Sequence, residues 1–207
     1  MQDHEIRIIG GKYKGKLLKI LDEKDLRPTT NRVRETIFSW LNNIENSNVL
    51  DLFAGSGALG FEAYSRGAKK VTLVELNKNT SKQLQAVAES INPKDLTVVN
   101  SDALEFLNNC NQQFDIVFID PPYKLNIYKD VLTSLLKRNL INENSIVYVE
   151  MQNGSSQSVP GYEIFREHSA GNAKYSLWKL SIKAVFLLGS SHSSRRIINS
   201  SVNEPTK

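Results

Sequence analysis

The hydrophobic positions of this 207-residue chain change period twice. Near the start, EIRIIGGKYKGKLLKI alternates apolar and polar residues around Gly10, Gly11 and Gly15. That pattern predicts a β-hairpin with Lys12, Lys14, Lys16 and Lys19 at outward positions. The period then lengthens to that of a helix, which Thr29 or Thr30 can cap and whose apolar face is Val33, Ile37, Trp40, Leu41 and Ile44. After residues 46–48, apolar runs of strand length alternate with helix-length segments. The predicted strands are VLDLF, VTLVE, LTVVN, FDIVFID and SIVYVE, with helices near residues 58–66, 78–91, 103–109 and 126–138. Strands that are apolar throughout, each followed by a helix, bury both faces, so the expected fold is α/β with a mostly parallel sheet. GYEIFREHS and AKYSLWKLSI add a closing antiparallel pair, which makes seven strands.

The length supports one main domain. Residues 1–45 form a basic hairpin and helix ahead of it, residues 46–183 the α/β domain, and residues 184–207 a tail whose Ser, Asn and charge content predicts disorder. No window approaches the ~20 apolar residues that span a bilayer. The start, MQDHEIRI, has no apolar run behind a basic segment, so the expected location is the cytoplasm. Cys110 is the single cysteine, and His4, His168 and His192 lie far apart. Neither a disulfide, an activated thiolate nor a metal site is expected.

Charge placement changes the picture more than its total. Residues 1–34 carry nine Lys or Arg against five Asp or Glu, whereas residues 35–183 carry fourteen against sixteen. A basic front on a nearly neutral body suits a polyanionic partner. Arg32 and Arg34 fall on or near the first turn of the predicted helix, where its dipole disfavours cations; holding phosphate would account for them.

The candidate chemistry starts at VLDLFAGSGALG, where Gly55, Gly57 and Gly60 follow a strand and open a helix in the spacing G-x-G-x-x-G. Such glycines permit a tight turn and close approach of a ligand to backbone N–H groups. Glu75 closes the next strand, twenty residues beyond Gly55, where a carboxylate can accept two ribose hydroxyls. Nicotinamide and S-adenosyl-L-methionine enzymes share these features. Asp51, followed by Phe53 and Ala54, separates them, because a carboxylate beside the turn repels a pyrophosphate but favours a sulfonium and an ammonium. Asp102, with the backbone of Ala103 beside it, can receive an adenine amine, cap the helix ALEFLNN, or do both.

The fourth strand ends in Asp120, Pro121, Pro122 and Tyr123. In open α/β sheets ligands sit at the carboxyl edge of the strands, so this tetrad emerges beside the glycine turn. Asp120 and the Pro121 carbonyl are then two acceptors on a stiff loop, matched to the two hydrogens of an exocyclic amine. Pulling on both favours a pyramidal nitrogen, and Tyr123 supplies a face on which the base stacks. A base edge inside a helix is occupied by pairing, so the target is unpaired or flipped out.

At these residues the chain resembles a known family. DLFAGSGALG followed by DPPY is similar to the class I amino-methyltransferases, and RIIGG with RPTTNRVRETIF narrows the resemblance to the RsmD-type 16S ribosomal RNA guanine-N2 methyltransferases, over about residues 6–183. The resemblance implies a Rossmann-like fold and methyl transfer from S-adenosyl-L-methionine to a loop guanine of 16S rRNA or the small ribosomal subunit. It places Asp51, Glu75 and Asp102 on the cofactor, Asp120 to Tyr123 on the base, and Arg27, Arg32 and Arg34 near the site with the lysine hairpin facing RNA. A monomer is the default expectation. The rivals are a DNA adenine-N6 methyltransferase, which lacks room here for a sequence-reading insert, an idle RNA-binding module, and a nicotinamide dehydrogenase.

Overall fold

The computed structural model describes residues 3–21, 30–92 and 94–185. Arg27, Thr29 and the tail from residue 186 lie outside the described residues, and with them the expectations that fall there. The chain runs β1 (Asp3–Arg7), β2 (Leu17–Leu21), α1 (Asn31–Leu41), β3 (Asn48–Asp51), α2 (Ala58–Ser65), β4 (Lys70–Glu75), α3 (Lys78–Ile91), β5 (Leu96–Asn100), α4 (Ala103–Asn109), β6 (Ile116–Ile119), α5 (Tyr128–Lys137), β7 (Ile146–Gln152), β8 (Tyr162–Ala170) and β9 (Ala173–Leu180). β1 and β2 pair as an antiparallel hairpin, and the other seven strands form one sheet in the order β5-β4-β3-β6-β7-β9-β8. β9 is antiparallel to both of its neighbours, while the five strands before it are parallel.

Alternate residues of the central strands feed two separate cores. Phe118 of β6 and Tyr148 of β7 point toward α1, α2 and α3, where they meet Ile37, Phe38, Phe61 and Leu84. Val117, Ile119, Val147 and Val149 point the other way, onto Val131, Leu132 and Leu135 of α5. This two-sided burial is why the strands read as continuous apolar runs. β3 pairs with β4 on one side and β6 on the other, so the winding direction reverses there and opens a crevice at the carboxyl edge.

The helix ends differ slightly from the sequence pattern. Thr30 caps α1, its hydroxyl oxygen accepting the Val33 N–H, but the helix stops at Leu41 because Asn42 adopts φ +59°. Ile44 is buried beyond that end rather than on the helical face.

The N-terminal hairpin is joined to the main body through a buried charge cluster. Ile6, Ile8 and Leu18 share a core with α1 and α2. The hairpin loop lies against the last turn of α2: Lys12 N–H donates to the Ser65 carbonyl at 2.6 Å, and Tyr13 N–H to Ser65 Oγ at 2.9 Å. Gly11 sits at φ +74°, and a Cβ there would overlap the Ser65 carbonyl. Glu62, fully buried on α2, accepts the Ile9 N–H at 2.9 Å and Arg66 Nε at 2.7 Å, and lies 3.5 Å from Arg34 Nη1. Arg34 also donates to the Arg7 carbonyl at 2.9 Å. One carboxylate therefore ties hairpin, α1 and α2 together.

Removing one partner of a buried pair leaves the other charge uncompensated. Glu62→Ala should destabilise the fold by about 3–5 kcal/mol, read as a lower midpoint in urea unfolding. A loss under about 1 kcal/mol, the value of an exposed pair, would contradict the clamp.

Candidate active site

The turn after β3 is shaped by glycines for steric reasons. Gly55 and Gly57 adopt φ +49° and +72°, and the Gly57 N–H closes the turn on the Ala54 carbonyl at 2.6 Å. A Cβ on Gly57 would lie 2.5 Å from the Phe61 ring. Ala54 is buried and Phe53 half-buried beside them. Gly60 is tightly enclosed for a different reason: a Cβ there would meet Leu73 at 3.0 Å and Asp51 Oδ2 at 3.1 Å. Its N–H donates to that same Asp51 oxygen at 2.9 Å. Asp51 is 3 % exposed. Burial pushes its carboxyl up to about 7, the Gly60 N–H pulls it down, and the nearby Glu75 charge adds to the rise.

Glu75, half-buried at the end of β4, reaches across to the turn. Its Oε2 accepts the Gly55 N–H at 2.8 Å and its Oε1 the Asn77 N–H at 2.7 Å. Leu76, which the sequence pattern did not single out, follows it with 69 % of its surface exposed. An apolar side chain this exposed beside a carboxylate offers a face for a flat ring. At the end of β5, Asp102 caps α4, its Oδ1 accepting the Leu104 N–H at 2.9 Å and the Glu105 N–H at 3.1 Å, with Ala103 buried behind it. The capping role weighed from the sequence is the one the contacts display.

β6 delivers the tetrad to the same edge. Asp120 follows Ile119, which pairs in register with Val149 of β7. Pro121 is buried and Pro122 exposed, and a 3₁₀ turn over Tyr123–Leu125 is closed by the Leu125 N–H on the Pro122 carbonyl at 2.9 Å. The Tyr123 hydroxyl donates to Glu150 Oε1 at 3.0 Å, and the Tyr148 hydroxyl donates to Glu150 Oε2 at 2.8 Å. Burial, reinforced by the Glu150 and Asp120 charges, holds the Tyr148 hydroxyl well above the usual tyrosine range. Glu150 was not among the residues predicted from the sequence. Its signal was present, since SIVYVE ends in an acid just as VTLVE does.

The basic residues divide into three environments. Arg32 is exposed on the first turn of α1. Burial pushes the Tyr175 hydroxyl up, the Arg32 charge opposes that and the Glu150 charge adds to it, so Arg32 lies within electrostatic reach of Tyr175, which pairs in register with Glu150. Arg34, predicted as a phosphate contact, is instead 1 % exposed and committed to Glu62, because its place on the helix faces the core. Its desolvation lowers its pKa, with Glu62 opposing. Lys12 and Lys14 are exposed and Lys16 half-exposed. The Lys12 and Lys16 ammonium groups lie 5.2 and 5.9 Å from the centroid of the Tyr13 ring. Their loop docks at the C-terminal end of α2, so an eight-residue helix, about 12 Å long, separates it from the glycine turn.

A seven-stranded sheet of this order, a glycine turn after β3 and an acid ending β4 define a class I methyltransferase. Residues 6–179 match the family described as Conserved hypothetical protein 95. The ribosomal RNA small subunit methyltransferase D of Haemophilus influenzae is 39 % identical over 181 residues, which cover 84 % of this chain and 94 % of that protein. Its Escherichia coli K12 counterpart is 39 % identical over 178 residues, covering 84 % and 90 %. The solved structure of the Escherichia coli protein yhhF superimposes with a TM-score of 0.79 at 36 % identity, over 86 % of this chain and 99 % of that one. The chain belongs to this RsmD family of methyltransferases.

The Asp51 carboxyl sets a pH dependence of known sign. Its folded pKa of about 7 stands above the ordinary 3.8, so its stabilising contribution is complete below about pH 4 and is lost as pH rises through 7. Asp51→Asn keeps an acceptor for the Gly60 N–H without the ionisation. Raising the pH from 5 to 8 should therefore cost the wild type ~3 kcal/mol relative to this variant, at about 1.4 kcal/mol per unit up to the folded pKa of about 7 and little beyond it. Urea unfolding at both pH values measures it, and parallel behaviour of the two proteins would refute it.

Proposed function

We propose that this methyltransferase transfers a methyl group from S-adenosyl-L-methionine to the exocyclic N2 amine of an unpaired guanine in small-subunit ribosomal RNA. One arrangement carries the reading: the glycine turn with Glu75 and the Asp120 to Tyr123 tetrad leave neighbouring strands, β3, β4 and β6, at one edge of the sheet. The relatives at 39 % identity bear the name of small-subunit ribosomal RNA methyltransferases, which supports the substrate class.

The residues at the turn fit the cofactor. Asp51, Glu75 and Asp102 stand on three adjacent strand ends and bring negative charge, which suits a cationic ligand and opposes a pyrophosphate. Glu75 would hold the ribose, Leu76 would cover one face of the adenine, Asp102 and the Ala103 backbone would take its amine, and Phe53, Ala54, Gly55, Gly57 and Gly60 would form the wall. When bound, S-adenosyl-L-methionine supplies an activated methyl group on a sulfonium that is also the leaving group.

The chain's own residues do the rest by orientation. Asp120 and the Pro121 carbonyl accept the two amine hydrogens, which draws the nitrogen lone pair out of the base plane and aims it at the cofactor. Such placement lowers the barrier without a strong base, and the proton released passes to Asp120 or to water. Pro121 and Pro122 restrict the loop to this geometry. Tyr123 holds the base by stacking, worth roughly 1–3 kcal/mol. Arg32, exposed on α1 within electrostatic reach of Tyr175, would meet RNA phosphate. Lys12, Lys14 and Lys16 form a more distant basic patch, and the same reading gives them backbone contacts with RNA.

Purified protein with labelled S-adenosyl-L-methionine should modify small-subunit RNA from a strain lacking the enzyme and yield N2-methylguanosine on nucleoside digestion. Asp120→Ala should lower turnover by about 10²–10³, the usual cost of one oriented polar partner, with the cofactor dissociation constant little changed. Label appearing only in DNA as N6-methyladenine would overturn the guanine reading.

Replacing Lys12, Lys14 and Lys16 together by Ala should weaken RNA binding equally across sequences. The slope of log K against log salt should flatten by roughly 2–3, as expected for three lost phosphate contacts. An unchanged slope in filter binding would remove the hairpin from the RNA surface.

A further inference from the structure

Glu150 satisfies the buried Tyr148 hydroxyl with one oxygen, and its second oxygen reaches the tetrad. It is 8 % exposed, and its place beside Asp120 follows from the register of Ile119 with Val149. Two carboxylates on adjacent strands repel each other, and burying either one costs solvation. The Tyr128 hydroxyl, buried nearby with no hydrogen-bond partner, adds a further polar burden, and the Asp120 and Glu150 charges, after burial itself, keep it protonated.

The contacts of Glu150 indicate its use. Each of its oxygens accepts from a different tyrosine, Tyr148 at 2.8 Å from within its own strand and Tyr123 at 3.0 Å from the tetrad. Tyr148 is buried to 0 % exposure and packs edge-on against Phe118 at 5.9 Å, so it is fixed. Rigidity thus passes from the sheet through Tyr148 to the carboxylate, and from there to the Tyr123 hydroxyl. Tyr123 opens a one-turn 3₁₀ segment, its ring is half-buried, and the anchored hydroxyl restricts rotation of that ring about its side-chain bonds. A stacking face helps catalysis only when its plane is set before the base arrives.

We propose that Glu150 is a positioning residue for methyl transfer: it fixes the plane of the Tyr123 ring, and so the angle at which the stacked base presents its amine. This rests on the reading of Tyr123 as the stacking face given above. A simple structural role for Glu150 predicts lost stability, whereas positioning predicts lost turnover in a folded protein.

The test combines kinetics with a measurement independent of turnover. Glu150→Ala and Tyr123→Phe should each lower kcat about tenfold or more, with the KM for S-adenosyl-L-methionine within about twofold of wild type. The double variant should be no slower than the worse single one, since both remove the same contact. Glu150→Gln, which keeps an acceptor, should recover most of the activity. Ring-labelled tyrosine NMR should give an ordered Tyr123 signal in wild type and Glu150→Gln and a motionally averaged one in Glu150→Ala. Full activity of Glu150→Ala, additive losses in the double variant, or an unchanged Tyr123 signal would each overturn the proposal. Wild-type protein that methylates no RNA would instead overturn the proposed function, while the ring signal still decides whether Glu150 holds Tyr123.

Discussion

A buried hydrogen bond of 2.9 Å, from the Gly60 N–H to the Asp51 carboxyl, governs how α2 leaves β3. It locks the first turn of the helix onto the strand, and the intervening residues can close that short path only with Gly55 and Gly57 at positive φ. Glu75 can then reach the Gly55 N–H from the next strand. The carboxyl that makes this bond is desolvated, so the glycine turn is built at the expense of stability near neutral pH. A cationic ligand bound beside the turn would relieve that penalty, which links the energetics of the empty turn to the ligand it suits.

The same principle extends along the sheet edge. β4, β3, β6 and β7 are neighbours, and each carries an acid at or near its carboxyl end: Glu75, Asp51, Asp120 and Glu150. Four acids on consecutive strands make an edge that accepts hydrogens and favours positive charge. Phosphate is disfavoured there, so under the proposed function contacts to an RNA backbone would fall to cations elsewhere, at Arg32 and at the lysines beyond the far end of α2. Chemistry and substrate grip would then occupy different surfaces.

Glu62 shows how neighbourhood alters the use of an acid. Eleven residues after Asp51, it is equally buried but meets Arg34, Arg66 and the Ile9 N–H. There the carboxylate is compensated and holds the hairpin to the body. Arg34 and Arg32, two residues apart on one helix turn, part company for the same reason: one faces the core and this acid, the other faces solvent.

Much of this was legible in the chain itself. Period-2 and period-3.6 patterning specified the seven strands of the sheet, the N-terminal hairpin and the order of the helices, because local alternation directly reflects which faces are buried. The glycine turn, Glu75 and the Asp120 to Tyr123 tetrad were equally visible, since each depends on residues close in sequence at strand ends. Three matters were decided only by folding. The partnership of Glu150 with Tyr123 spans 27 residues, the pairing of Arg34 with Glu62 spans 28, and the position of the lysine loop depends on α2 more than fifty residues away. Sequence periodicity tells whether a side chain turns inward; which partner it finds there depends on how separate elements pack, and no local pattern encodes that.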